Sequence, residues 1–234
     1  MTDLVELNRR AVQRSVEIVD AVSADQLGWP TPCAGWTLED LLGHMIAQHH
    51  GFAAAAEGNT TDCMVWEVHP VGDDPAGAYA AAADHVLTAF AADGVLDRGF
   101  WLPEVRDGGP FPAPTAIGFH LVDYVVHGWD VAASLGVDTT YPLEVVATAL
   151  SAAEQVPTGA PREVPGASFA PPFPLGADQS PMHRMLLILG RSPTWSNQPS
   201  PQGHLDPVSE AGQRRTPVPT DRAQTAADPA HDTA

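Results

Sequence analysis

Residues 123–136 read DYVVHGWDVAASLG and place three ionisable side chains, Asp123, His127 and Asp130, inside an otherwise apolar run. The apolar residues favour a buried helix, and Gly136 at the end of the run is typical of a left-handed C-terminal cap. Asp123 and His127 are four residues apart, so on a helix they lie on one face and can hold one ion between them. The segment therefore predicts a core helix that carries chemistry.

Two further histidines extend this pattern. His120 lies three residues before Asp123, on the same stripe of the predicted helix. Because one helix cannot complete a coordination sphere, a second helix has to add a donor, and His44 lies in the apolar segment LLGHMIAQHHGF. Two imidazoles and one carboxylate leave coordination positions open to water or substrate, which distinguishes a reactive metal site from a closed structural one. A short DxxxH pattern is common, however, and a histidine on an apolar face is more often a core residue with a satisfied ring nitrogen than a metal ligand.

Helices are predicted on both sides of this segment from the spacing of apolar residues and from capping signals. Residues 98–114 are rich in aromatic residues, Pro and Gly, which suggests an ordered loop with a short hairpin. Four long helices with polar groups directed inward predict an all-α protein, a four-helix bundle with extra short helices. The predicted helices cover residues 3–22, 37–58, 75–94 and 114–135, followed by one from Pro142 and a short closing one in MHRMLLILG.

The last segment, residues 196–234, has a different composition. It contains almost no large apolar side chains and many Pro, Gln, Thr and Ala residues. Such a segment cannot bury enough surface to offset the entropy cost of ordering it. With 234 residues the chain has room for one core and a tail. We therefore expect one helical metal-binding domain over residues 1–195 and a disordered tail over residues 196–234.

The charge balance excludes several classes of function. The 29 acidic and 11 basic residues give a formal net charge of -18, which repels nucleic acid and anionic lipid. Every basic residue is Arg, so no Schiff-base lysine is available. The chain shows no secretory leader pattern and no apolar run of about 18 residues. We expect a cytoplasmic protein without a membrane span and without a nucleic-acid partner.

Two residues near these motifs have more than one interpretation. Cys33 in TPCAGW could act as a nucleophile, but no CxxC partner is present and the flanking Pro and Gly favour a tight turn. Asp130, close to one turn after His127, could hold that imidazole, cap a backbone group or simply lie at the surface.

Three motifs, TPCAGWTLEDLLGHM, DYVVHGWDVA and LLILGRSPTW, occur in this order along the chain. With them, residues 5–195 resemble the DinB-like superfamily, in the branch of the mycothiol-dependent maleylpyruvate isomerase N-terminal domain and its actinobacterial single-domain metal-binding relatives. The resemblance implies a DinB-like four-helix bundle with a divalent metal held by His44, Asp123 and His127. In two respects this chain departs from the family's isomerase, which has Glu where Asp123 stands and carries an additional sterol-carrier-like domain.

The resemblance also implies a class of reaction. A low-molecular-weight thiol of the mycothiol type would be the co-substrate, and the metal would lower the pKa of that thiol. Addition of the thiolate to an activated double bond, rotation and elimination would make the protein an isomerase, whereas addition or displacement alone would make it an S-transferase. From its place on the same stripe, His120 is the candidate catalytic residue, either for proton transfer or to hold a metal ligand in place. Zinc is the first expectation for the metal, with nickel, iron or manganese as alternatives.

Two other functions remain open on the sequence. A metal-dependent hydrolase with a metal-bound water as nucleophile would use the same ligands. A non-catalytic metal-binding or interaction protein would use the bundle as a scaffold. The expected partners are a small-molecule thiol and a small electrophilic substrate, and the protein is expected to be a monomer or a homodimer.

Overall fold

Four α-helices form the body of the protein. The computed structural model describes residues 3–59, 62–103, 105, 109–164 and 167–197. Helix α1 packs against α3 and α4, and α2 also packs against α3 and α4, so the four helices form a bundle. The predicted all-α four-helix bundle is confirmed, whereas residues 198–234 of the predicted tail lie outside the described residues. The helices are α1 (Leu4–Val19), α2 (Leu38–Ala56), α3 (Pro75–Phe90) and α4 (Ala113–Leu135).

The helix ends follow the capping signals of the sequence. Thr37 and Asp40 form the capping box of α2, in which Thr37 Oγ1 accepts from the Asp40 amide and Asp40 Oδ2 accepts from the Thr37 amide. Asp74 caps α3 by accepting from the Gly77 amide at 2.9 Å. Gly136 ends α4 with a φ of 68°, a left-handed conformation that favours glycine.

Shorter elements surround the bundle. Strands β1 (Gly99–Trp101) and β2 (Pro110–Pro112) form the predicted hairpin, with Phe100 paired to Phe111 in antiparallel register. Helix α5 (Leu143–Ala153) packs on α4, and the short α6 (Pro181–Ile188) packs on α5. Single 3₁₀ turns complete the connections; they are Ala24–Gln26, Cys63–Trp66, Val95–Asp97 and Ala160–Arg162.

Buried side chains form two clusters. The larger cluster contains residues of all six α-helices and includes the fully buried Leu41, Tyr124 and Met185. The smaller cluster lies beneath the hairpin and includes Phe90 and Phe100. In the part of the chain that the structure describes, no helix combines the length and the apolar character needed to cross a bilayer.

Candidate metal centre

Three predicted ligands come together where α2 faces α4. Asp123 Oδ1 lies 3.3 Å from His127 Nε2, and Asp123 Oδ2 lies 3.9 Å from His44 Nε2. One donor atom from each of the three side chains lies within 4.8 Å of the others. The ligand atoms of a tetrahedral ion with bonds of about 2.1 Å are roughly 3.4 Å apart. The three side chains therefore have the spacing and the donor types that a divalent ion requires.

The orientation of the two imidazoles agrees with this reading. The ring centres of His44 and His127 are 5.2 Å apart and their planes are nearly perpendicular. Two imidazoles bound to one tetrahedral ion have ring centres about 5 Å apart, given metal–nitrogen bonds of about 2.1 Å. Trp36 packs beside both, with its ring centre 5.1 Å from His44 and 6.3 Å from His127. The indole therefore forms one wall of the candidate centre.

Solvent reaches one side of this cluster. The side chains of His44 and Asp123 are 18% and 21% exposed, whereas His127 is only 6% exposed. A site closed by protein on all sides would have no room for an exogenous ligand. The accessible side at His44 and Asp123 is where a small molecule could approach.

Electrostatics give the cluster an ionised carboxylate. Burial would raise the pKa of Asp123, but the charge and hydrogen bond of His127, with a smaller effect of His44, hold that pKa below its usual value. Burial would likewise lower the pKa of His127, but Asp123 and Asp130 hold it well above the usual value. An ion that binds here has to displace the proton from His127, so metal binding is expected to release a proton.

A second set of residues holds the other nitrogen of His127. Asp130 is fully buried, and its Oδ2 lies 3.0 Å from His127 Nδ1. The same oxygen lies 3.2 Å from Cys33 Sγ and 3.3 Å from Arg191 Nη2. Arg191 follows α6, whose end is formed by Gly190 with a φ of 74°. The imidazole of His127 thus lies between two carboxylates, one at each ring nitrogen.

Cys33, His127 and Asp130 also have the spacing of a metal-binding group. Arg191 Nη2, however, lies 3.1 Å from Cys33 Sγ and 3.3 Å from Asp130 Oδ2, so a positive charge already occupies this position. A divalent ion would be repelled by that guanidinium. The donors on the Nε2 side of His127 therefore form the better cation site.

His120, predicted as the catalytic residue, lies one turn before Asp123 but belongs to a different group of polar side chains. Its Nδ1 lies 2.9 Å from Asn8 Nδ2, and its Nε2 lies 3.2 Å from His49 Nδ1. The ring is fully buried and stacks on Tyr124. Burial lowers the pKa of His120 to about 3, which keeps the imidazole neutral. These contacts favour a structural role in the core, and proton transfer by His120 stays a prediction.

The sequence reasoning missed Arg191 and the contact of Cys33 with the centre. The motif LLILGRSPTW contains Arg191, but nothing in its spacing connects it with a histidine 64 residues earlier. Cys33 does lie in a turn, as predicted, since the amide of Trp36 bonds to its carbonyl at 3.0 Å. That turn also brings its sulfur to Asp130. The available signal was an Arg within the largely apolar motif LLILGRSPTW, because an Arg that is buried there requires a buried partner.

Comparisons with known proteins give one matching family model and two relatives of similar length. The model of the mycothiol maleylpyruvate isomerase N-terminal domain matches residues 8–132. Two uncharacterized proteins of Mycobacterium tuberculosis, from strains CDC 1551 / Oshkosh and H37Rv, are each 30% identical over 195 residues. These alignments cover 81% of this chain and 98% of each relative.

Among solved structures, the crystal structure of the mycothiol-dependent maleylpyruvate isomerase is similar in fold. It aligns with a TM-score of 0.55 and 16% identity, over 81% of this chain and 88% of that chain. The matched segment 8–132 contains His44, Asp123 and His127, whereas Arg191 lies beyond it. Because the matched domain covers more than half of the residues, we conclude that this chain belongs to the mycothiol maleylpyruvate isomerase N-terminal domain family.

Proposed function

We propose that the protein binds one divalent metal ion through His44, Asp123 and His127 and is a metal-dependent enzyme that uses a low-molecular-weight thiol. The substrate would be a small electrophile, and the reaction an S-transfer or an isomerisation. The observation that carries the proposal is the convergence of two imidazoles and one carboxylate, within 4.8 Å, on a side that solvent reaches. Membership of a family named after a mycothiol-dependent isomerase supports the choice of thiol.

The donor set suits zinc first, while nickel, iron and manganese accept the same ligands. A bound ion would supply a positive charge that lowers the pKa of a coordinated thiol, so that thiolate is available near neutral pH. The chain itself offers no Lys as a nucleophile. A thiol brought by the co-substrate therefore fits the residues that are present.

The residues of the chain have distinct parts in this proposal. His44 and His127 provide neutral nitrogen donors, and Asp123 provides the negative charge that offsets part of the charge of the ion. Trp36 shields one side of the cluster and provides an apolar surface against which a small substrate can lie. His127 is held in place at its second nitrogen, which keeps its Nε2 directed at Asp123.

The metal site is tested with the variant His127→Ala. The protein is purified without an affinity tag, and its metal content is measured by elemental analysis. We expect about one ion per chain in the wild type and almost none in the variant, with the helical circular dichroism signal retained. The control is His183→Ala, since His183 is exposed on α6 and far from these ligands in the sequence. Stoichiometric metal in the His127→Ala protein would contradict the assignment of the ligands.

The thiol is tested by calorimetric titration of the metal-loaded protein with mycothiol. S-methylated mycothiol is the matched control ligand, because it keeps the sugar and loses the ionisable thiol. Binding of mycothiol with release of a proton, and no comparable binding of the S-methyl analogue, is the expected result. Turnover of esters or amides without any thiol would favour the hydrolase instead. Metal binding with neither thiol binding nor turnover would favour a non-catalytic metal-binding protein.

A further inference from the structure

The segment after α6, beyond the matched family domain, reaches the candidate metal centre. Arg191 is 5% exposed, and its Nη2 lies 3.3 Å from Asp130 Oδ2. Asp130 Oδ2 in turn lies 3.0 Å from His127 Nδ1, on the side of the ring that faces away from Asp123. Two successive hydrogen bonds, through Asp130, therefore connect Arg191 with His127, a predicted metal ligand on α4.

We propose that Asp130 and Arg191 are positioning residues, which fix the tautomer and the orientation of His127 so that its Nε2 lone pair points at the metal position. This inference rests on the proposed function, because it assigns His127 as a ligand. Asp130 accepts a hydrogen bond from the Nδ1–H of His127. Arg191 donates to the same carboxylate and holds it in the position where it accepts that bond. Arg191 itself is fixed by donating from Nη1 to the Leu189 carbonyl at 2.9 Å.

The hydrogen-bond inventory of the pair supports a role beyond stability. Within the described residues, Asp130 Oδ1 and Arg191 Nε are buried and have no hydrogen-bond partner. All contacts of the carboxylate therefore run through Oδ2, which receives His127, Cys33 and Arg191 together. Burying an ion pair with unsatisfied atoms costs stability, and an apolar pair of similar volume would avoid that cost. A role in orienting the imidazole of His127 explains why the chain has a buried Asp130–Arg191 ion pair here and not an apolar pair.

Cys33 contacts both members of the Asp130–Arg191 pair. Its sulfur lies 3.2 Å from Asp130 Oδ2 and accepts from Arg191 Nη2 at 3.1 Å. The turn that carries Cys33 is closed by the Thr31 amide, which donates to the Trp36 carbonyl. The segment before α2 and the segment after α6 thus meet at one carboxylate oxygen of α4.

Zinc affinity tests the inference. The full chain competes with a chromophoric chelator for Zn²⁺, and the variants are Asp130→Asn, Arg191→Met and the double variant. Loss of a residue that orients a metal-bound imidazole typically weakens metal binding about 10- to 100-fold. We expect a loss of this size for Asp130→Asn, a smaller loss for Arg191→Met, and a double variant no weaker than Asp130→Asn, because Arg191 acts through Asp130. Arg184→Met, at a partly exposed Arg on α6 that pairs with Glu154, is the matched control and should keep the wild-type affinity.

A spectroscopic readout separates positioning from general stability. Nitrogen-15 NMR of the zinc-loaded protein reports which nitrogen of His127 carries the proton. In the wild type Nδ1 should be protonated and hydrogen-bonded, and in Asp130→Asn that proton should exchange with water faster. The double variant removes both charges of the pair, so neither is left buried without its partner. If a single variant fails to fold, the Nδ1–H signal of His127 is measured in the double variant instead.

The outcomes are distinguishable. Wild-type protein that binds no zinc would overturn the proposed function and, with it, this inference. Wild-type protein that binds zinc while Asp130→Asn has the same affinity and the same Nδ1–H signal would overturn the positioning role alone. Losses in the two single variants that multiply in the double variant would show that Arg191 acts independently of Asp130, which also contradicts the proposal.

Discussion

At Gly128, next to the predicted ligand His127, the side chains of Tyr141 and of Ser15 on α1 pack close to the α-carbon. A Cβ added there would lie 1.9 Å from Tyr141 Oη and 3.3 Å from Ser15 Cβ. Tyr141 is buried, and its hydroxyl donates to the Tyr124 carbonyl at 3.2 Å. The close approach of Tyr141 and α1 to α4 therefore depends on a glycine at this position.

Gly128→Ala is expected to lower the free energy of unfolding by about 1–3 kcal/mol, because the new methyl group forces Tyr141 out of its place. Urea denaturation followed by circular dichroism measures the change. Gly118→Ala is the matched control on the same helix, since a Cβ there meets no atom within 4 Å. That substitution should leave stability unchanged or raise it by up to about 1 kcal/mol. Equal effects of the two substitutions would refute the packing argument.

Helix α4 contributes to two groups of polar side chains, one that stays neutral around His120 and one that is charged at Asp123 and His127. Toward its N-terminal half, His120 contacts Asn8 of α1 and His49 of α2 in a fully buried position. Burial, together with repulsion from His120, lowers the pKa of His49 well below its usual value, so both imidazoles stay neutral. One turn later Asp123 and His127 favour their charged forms. A single helix therefore joins a neutral core network to an ionic centre.

Acid should destabilise the protein through the His49 and His120 pair. The unfolded chain binds protons at these histidines near pH 6.5, whereas the folded protein does not bind a proton at His120 until about pH 3. The contribution of each histidine to stability is therefore complete above pH 6.5 and is lost as the pH falls toward the lowered native pKa. We expect the free energy of unfolding, measured in urea, to fall by up to about 1.4 kcal/mol per pH unit for each histidine.

The variant His120→Gln isolates this effect. It removes one titrating group, so the slope of stability against pH between 6.5 and 4 should decrease by up to about 1.4 kcal/mol per unit. His183→Gln, at an exposed position on α6, is the control for the His→Gln change itself. An unchanged slope in His120→Gln would show that other groups govern the acid response.

The helices and the hairpin were accessible from the sequence because their signals are local. Thr37 with Asp40, Pro75, and Gly136 mark helix ends within a few residues of the apolar runs that they bound. The pairing of His44 with Asp123 and His127 was within reach because each lies on an apolar face and the bundle brings such faces together. His120 lies on the same stripe of α4, but its ring nitrogens contact Asn8 of α1 and His49 of α2. The spacing of residues along one helix does not predict contacts with other helices, so the surroundings of His120 could not be predicted.

Beyond the bundle, Arg162 fixes the long connection between α5 and α6. Its guanidinium donates to the carbonyls of Pro157, Val156 and Ala170, and also to that of Ile188 at the end of α6. The residue is 5% exposed. Few apolar side chains hold this Pro-rich segment, so hydrogen bonds to one cation replace the packing that a helix would provide.

Arg162→Met is expected to lower the free energy of unfolding by about 1–3 kcal/mol, because four backbone carbonyls lose their charged donor. Chemical denaturation in urea measures this loss. Arg9→Met is the control for removing an arginine, since Arg9 is about half exposed and bonds to Glu6 and Gln13 at the surface. Its expected cost is below about 1 kcal/mol. A comparable loss in both variants would mean that the carbonyl contacts of Arg162 add little.

The contacts around Asp130 also determine when the centre can assemble. Cys33 and Asp130 are 97 residues apart in the chain, and Cys33 and Arg191 are 158 apart. Because contacts between residues so far apart in the chain close long loops, we expect them to form late in folding. An ion that binds only where His44, Asp123 and His127 are brought together would stabilise the native chain over partly folded forms. Each tenfold excess of that ion over its dissociation constant then adds about 1.4 kcal/mol to global stability.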